Sequence, residues 1–153
     1  MKYMPQRLRY VIDEFQDVIL EEVTKSDYEF IYELLKTRDP RANISHKKLP
    51  TYEEHVRFVM KKPYNKWYII KSNNQKVGSI YLSLQDEIGI TIKKEFQRKG
   101  IGRKTVKLLM KKNPRTRYLT NVAPNNIIHQ EFFKKLGFSC LEHIYEITNP
   151  DIQ

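Results

Sequence analysis

Cysteine is nearly missing: Cys140 stands alone among 153 residues, so no intrachain disulfide can form. A lone cysteine also rules out cysteine-based metal sites and fits a reducing compartment. No apolar run approaches the ~18 residues that a membrane-spanning helix requires. The stretch from Met1 to Tyr10 is basic, with no apolar segment of signal-peptide length behind it. Five glycines and seven prolines are too few for a collagen-like or low-complexity chain. These absences exclude secreted, fibrous and integral-membrane classes, and the expected location is cytoplasmic.

What is present is a core's worth of apolar residues, 40% of the chain, with 12% aromatic. At this length the chain reads as one domain over 1–153, with 1–16 as an N-terminal extension. Lys and Arg number 28 against 18 Asp and Glu, a formal net charge of +10. Such a surplus favours anionic partners, whether phosphates, nucleic acid or an anionic substrate.

Periodicity sketches the elements. A strand over Asp17 to Val23 leads to a polar cluster at Thr24 and a helix to about Thr37. Arg38 to Pro50 reads as a loop. Thr51 and Glu54 form a capping box for a helix that sets Tyr52, His55, Val56, Val59 and Met60 on one stripe. Lys66 to Lys71 and Val77 to Leu84 form a probable hairpin around Ser72 to Gln75. In Asp86 to Ile92 the isoleucines alternate with Glu87, Gly89 and Thr91. A helix carrying Ile101, Leu108 and Leu109 follows, then a strand over Tyr118 to Val122. The last helix, Asn125 to Leu136, carries Ile128, Phe132 and Leu136 and stops at Gly137; Phe138 to Ile147 reads as a closing strand. The order gives an α/β domain with helices covering a sheet.

The segment Gln97-Arg98-Lys99-Gly100-Ile101-Gly102 joins a strand to a helix. Two glycines let the backbone approach a ligand, and the helix N-terminus offers unpaired N–H groups and the positive dipole end. Arg98, Lys99, Arg103 and Lys104 add charge, which suits a phosphate or pyrophosphate. The spacing is not that of a P-loop, and Thr105 stands where a dinucleotide fingerprint needs a third glycine.

About 25 residues on stands Asn126, followed by Phe132-Phe133, Lys135 and Gly137-Phe138. The two motifs together resemble the GNAT superfamily of acetyl-CoA-dependent N-acetyltransferases, over about Asp17 to Ile147. The resemblance implies a mixed, mostly antiparallel central sheet with two splayed parallel strands and helices on both faces. It implies that acetyl-CoA lies between strands Asp86–Ile92 and Tyr118–Val122. Backbone groups of Ile90, Thr91 and Ile92 would pair with the pantetheine arm. Gln97, Arg98, Lys99, Gly100, Ile101, Gly102 and Arg103 would hold the pyrophosphate, and Asn121, Asn126 and Phe133 would line the rest. No metal is implied.

The chain departs from the family pattern at two positions. Phe133 replaces a tyrosine that commonly protonates the departing thiolate, and His129 replaces a small alanine. Tyr145 is a substitute acid or a core residue. Glu87 is a base or a solvated strand-end glutamate, and His55 a base or a packed core histidine. The region before and through the second helix is similar to enzymes that acetylate nucleotide-linked amino sugars. In that likeness Arg41, His46 and Lys47, with Arg38 and Lys48, line an anionic acceptor's pocket, and a polyamine is repelled. Protein or peptide amines are the alternative acceptor. A non-catalytic CoA-binding role stays open because of Phe133. Nucleic-acid binding is disfavoured because no helix-turn-helix, zinc or aromatic single-strand motif is visible. The oligomeric state is open.

Overall fold

The computed structural model of the protein describes residues 18–39 and 48–152. Strand β1, Val18–Glu22, opens the described chain. Thr24 is extended (φ −122°) and forms a capping box with Asp27 over a short 3-10 turn. Asp27 Oδ2 accepts from the Thr24 amide at 2.8 Å, while Lys76 Nζ donates to Asp27 Oδ1 at 2.7 Å. Helix α1, Tyr28–Thr37, follows and buries Ile31 and Leu34. The second capping box is as the sequence predicts. Thr51 Oγ1 accepts from the Glu54 amide at 3.2 Å, and Glu54 Oε2 accepts from the Thr51 amide at 3.0 Å.

That cap opens α2, Tyr52–Met60, but its buried stripe is narrower than expected. His55 and Val59 are buried, whereas Tyr52 and Met60 are exposed. The helix leans on α1 through Tyr32, whose ring lies 5.3 Å from Tyr52 and 5.2 Å from His55, so only one edge is covered.

Strands β2 (Lys66–Ser72), β3 (Gln75–Leu82) and β4 (Ile88–Ile92) complete a four-stranded sheet ordered β1-β2-β3-β4, antiparallel throughout. Asn73 and Asn74, both at positive φ, make the tight β2–β3 turn. One sheet face carries Val18, Tyr68, Ile70, Ile80, Leu82 and Ile88, packed on Ile101, Val106 and Leu109 of α3, Ile101–Lys112. By alternation Ile69, Ser79 and Tyr81 point the other way, towards the side on which α1 contacts β3. The sheet therefore has helices on both faces, an α/β arrangement.

Three sequence expectations are corrected. Tyr118 to Val122 is not a regular strand: it pairs through one isolated parallel bridge, Leu119 with Glu87. Phe138 to Ile147 forms no strand, and Leu141, Ile144 and Ile147 are exposed. The two failures share a cause, since the single bridge leaves no outer strand for a last one to pair with. In α4, Ile127–Lys135, Ile128 is exposed and Phe133 is the buried residue, packed 5.1 Å from the Phe138 ring. Gly137 does end the helix as predicted, at φ +100°.

Candidate active site

The geometry starts from the alternation of β4. The Ile88 amide donates to the Leu119 carbonyl at 2.7 Å, on the side away from β3. By the strand's period of two, Ile90 and Ile92 turn their peptide groups to that same side. The Leu119 amide donates to the Asp86 carbonyl at 2.9 Å, and the Thr120 hydroxyl takes the Ile88 carbonyl at 2.9 Å. Among the described residues, no backbone bond joins β4 to the 118–122 segment beyond this point. A slot therefore opens along Ile90 and Ile92. A side chain, not a strand, holds one of its acceptors: Gln97 Nε2 donates to the Ile92 carbonyl at 2.9 Å.

The slot runs into the N-terminus of α3. Arg98 (φ +61°) and Gly100 (φ +81°) take left-handed conformations, and the space around a Cβ at Gly100 is open. The first turn of α3 holds no acidic residue, while Arg98, Lys99, Arg103 and Lys104 surround it. Cations at the positive end of a helix dipole are unfavourable, which an arriving anion reverses. Gly102 differs from the expectation: a Cβ there would meet the Phe132 ring at 3.2 Å and Ile92 Cδ1 at 3.4 Å. It permits α4 to pack on α3.

On the sheet face opposite the isoleucines stands Glu87, half-buried. Ser83 positions it: the Ser83 hydroxyl accepts from the Glu87 amide at 3.0 Å and donates to Oε2 at 3.4 Å. Tyr81, cross-strand from Gly89, lays its ring where a Cβ of residue 89 would be. Tyr64 stacks on Tyr81 with ring centroids 3.7 Å apart and the rings nearly parallel. Burial pushes both phenols above their usual range, and the Arg38 charge acts on both. Burial first, and then the same Arg38 charge, push His129 below the usual histidine range. Arg38, Tyr64, Tyr81, Glu87 and His129 are thus drawn to one region.

Other expected site residues lie elsewhere. His55 is buried beside the Tyr32 ring, with Nε2 unpartnered; burial lowers its pKa. It is a packing residue between α1 and α2. Tyr145 is 88% exposed in the segment that forms no strand, so the expectation of an acid there is corrected. Phe133 is buried against Phe132 at 5.0 Å instead of lining the slot. Asn126 caps α4, its Oδ1 accepting from the His129 amide at 3.2 Å, and Asn121 is exposed. Arg41, His46 and Lys47 lie outside the described residues.

The sequence reading passed over Tyr64, Tyr81 and Thr120. A signal existed for Tyr81: a glycine inside an otherwise alternating strand marks a close approach, and the register sets Tyr81 opposite Gly89. Among the described residues no group of three or more His, Cys, Asp or Glu gathers as a metal site needs, and no helix is long and apolar enough to cross a membrane.

Comparison with known proteins agrees with this geometry. No curated protein matches the chain. A domain from Methanocaldococcus jannaschii DSM 2661 superposes with a TM-score of 0.70 at 27% identity, covering 84% of this chain and 92% of that one. The spermidine N-acetyltransferase of Vibrio cholerae, solved with CoA and spermine, gives a TM-score of 0.70 at 18% identity, covering 84% of each chain. A ribosomal-protein alpha-N-acetyltransferase in complex with coenzyme A gives 0.64 at 16%, covering 78% of each. The model of the acetyltransferase (GNAT) family matches residues 28–138, and with the open β4 edge and the glycine turn at its end, the chain belongs to that family.

Proposed function

We propose that the protein transfers the acetyl group of acetyl-CoA to a primary amine by direct attack, and that the acceptor is anionic, a nucleotide-linked amino sugar being the favoured class. One observation carries the reading: an open β4 edge at Ile90 and Ile92 leads directly into a helix N-terminus ringed by four basic residues. The residues present fit such a cosubstrate. Peptide groups two residues apart suit an amide-bearing arm. The open space at Gly100 lets pyrophosphate oxygens reach the amides from Arg98 to Arg103. Acetyl-CoA supplies an activated acetyl group on a thiol leaving group.

The chain's own residues do the rest. Glu87 stands at the head of the slot, where its carboxylate attracts the incoming ammonium and takes its first proton, leaving a nucleophilic amine. Tyr81 and Tyr64 wall that side and exclude water from the reacting groups. The charge of Arg38, which acts on both phenols, draws an anionic acceptor towards this region.

The same cation disfavours a polyamine, and the likeness to spermidine acetyltransferase at 18% identity supports the fold alone. Protein N-termini are the second reading, since peptide acceptors can be acidic; the likeness to a ribosomal-protein acetyltransferase, at 16% identity, bears on the fold alone. The test is calorimetry with acetyl-CoA, followed by turnover on sugar nucleotides, peptides, polyamines and amino acids. The expected result is binding, with turnover of an amino-sugar nucleotide. Efficient peptide acetylation with no sugar-nucleotide turnover moves the acceptor to peptides. No heat with acetyl-CoA overturns the whole reading.

A further inference from the structure

We propose that Arg115 is a positioning residue for acetyl transfer, its one guanidinium fixing both the turn that aims Glu87 and the Tyr64 wall. The inference rests on the acetyl-CoA reading above, with Glu87 as the base. Three connectors meet at this side chain. The first, 113–117, follows α3 and carries Arg115 itself. The second, 83–87, joins β3 to β4 and ends on Glu87. The third, 61–65, joins α2 to β2 and carries Tyr64.

The guanidinium reaches all three. Nε donates to Asp86 Oδ1 at 2.9 Å, Nη2 to Asn65 Oδ1 at 3.1 Å, and Nη1 to the Pro114 carbonyl at 3.0 Å. Its planar fork holds the donors in fixed directions, so the position of one partner constrains the others. The Arg115 backbone is anchored in turn. Its amide donates to the Tyr118 hydroxyl at 2.9 Å, and that hydroxyl lies 2.8 Å from the Asn113 carbonyl at the end of α3.

Asp86 and Asn65 each adjoin a residue of the proposed site. Asp86 holds a left-handed conformation (φ +62°), uncommon outside glycine, and its carbonyl accepts from the Leu119 amide at 2.9 Å. Next to it, Glu87 bridges Leu119 and is held by the Ser83 hydroxyl. Releasing Asp86 therefore loosens the turn that aims the carboxylate. Asn65 follows Tyr64, whose ring stacks at 3.7 Å on Tyr81 and meets Trp67 edge-on at 4.8 Å. Releasing Asn65 loosens that wall. The Arg115 and Asp86 side chains are 32% and 40% exposed, a setting in which an ion pair contributes little to folding. Its effect lies in geometry, where a displacement of about 1 Å can cost roughly 10²-fold in rate.

The test compares wild type with Arg115→Ala, Arg115→Lys, Glu87→Gln and the double variant Glu87→Gln/Arg115→Ala. The substrates are acetyl-CoA and a UDP-linked amino sugar, or a peptide if wild type acetylates that instead. Arg115→Ala is expected to lower kcat by roughly tenfold, with the KM for acetyl-CoA within about threefold. Its unfolding constant in urea should stay within about fivefold of wild type, or about 1 kcal/mol. In the Glu87→Gln background the same substitution should cost under about twofold, because the carboxylate it aims is gone. A merely structural residue would slow both backgrounds alike.

Two further readouts need no acceptor. In Arg115→Ala the Glu87, Ile88 and Leu119 amides should exchange at least roughly tenfold faster, with the β2–β3 ladder unchanged. Trp67 is the only tryptophan, so its emission reports on the wall, and it should shift to the red. Arg115→Lys, a single point charge, should recover the exchange protection through Asp86 but not the emission, since it cannot also span to Asn65. Unchanged kcat in Arg115→Ala, equal losses in the two backgrounds, unmoved exchange or emission, or an emission restored by lysine overturns the proposal and leaves the acetyl-CoA reading intact. Failure of Arg115→Ala to fold makes the residue structural and overturns the proposal too. Absence of acetyl-CoA binding to wild type overturns both.

Discussion

The two edges of β4 put one backbone to opposite uses. Towards β3 the strand is paired along its whole length, from Ile88 opposite Leu82 to Ile92 opposite Gly78. Away from β3 it is bridged once, in parallel, at Glu87, and beyond that the Gln97 side chain bonds the Ile92 carbonyl. The paired edge contributes stability through burial and ladder bonds. The open edge keeps peptide groups ready for a ligand, at a cost in pairing offset in part by Gln97. Function here lies in the backbone bonds that the fold withholds, while the residues beside them are ordinary isoleucines.

Changes on the paired edge should unfold the protein, whereas changes on the open edge should disable it while folded. The largest expected effect is Gly78→Val. A Cβ at residue 78 would lie 2.2 Å from the Thr91 carbonyl oxygen, in a buried site where backbone cannot give way. The loss should reach or exceed the top of the ~1–3 kcal/mol range of overpacked cores, read by urea denaturation. Next is Glu87→Gln, which should lower the acetylation rate by about 10²-fold. Acetyl-CoA affinity should be nearly unaltered, since the carboxylate is proposed to act on the amine. A rate unchanged across pH would return Glu87 to a solvated strand-end role.

Gly100→Val should be intermediate. No atom lies near its missing Cβ, but φ +81° strains any branched side chain, by about 1–3 kcal/mol. Acetyl-CoA affinity should fall by roughly tenfold, or 1.4 kcal/mol, because the turn that presents the amides relaxes. The smallest effect is at Asp27, which ties the turn before α1 to Lys76 of β3. Burial pushes its carboxyl pKa up, but Lys76 at 2.7 Å and the bonds to Thr24 outweigh that, so the net shift is downward. Its contribution to stability is therefore complete above the ordinary carboxylate pKa of 3.8 and is lost as the pH falls below it. Asp27→Asn should flatten the acid limb of a stability–pH profile by less than about 1 kcal/mol, the typical worth of a cap.

Local signals carried much of this into the sequence. The Thr51–Glu54 capping box, the polar helix start at Thr24, the Asn-Asn turn region, the alternation of β4 and the stop at Gly137 depend on residues within a few positions of each other. The glycine turn was equally legible, because a left-handed residue before a helix demands glycine. Long-range choices were hidden. Nothing local says that Tyr118 to Val122 would pair once and then diverge, nor that Phe133 would turn into the core while Ile128 stayed exposed. Periodicity set Ile128 on the buried stripe with Phe132 and Leu136, and docking against Phe138 turned Phe133 inward instead. The cluster of Arg38, Tyr64, Tyr81 and His129 draws on segments up to about ninety residues apart, a distance over which sequence pattern carries no information.

Amide hydrogen exchange with and without acetyl-CoA tests the central claim most directly, because it reads both edges of β4 in one sample. The Ile90 and Ile92 amides should exchange quickly in the free protein and slow sharply on binding, together with the amides opening α3. The Ser79 and Thr91 amides on the paired edge should be protected in both states. Bound acetyl-CoA that leaves Ile90 and Ile92 exchanging as before, or that protects some other surface instead, would contradict the assignment of the open edge as the cofactor slot.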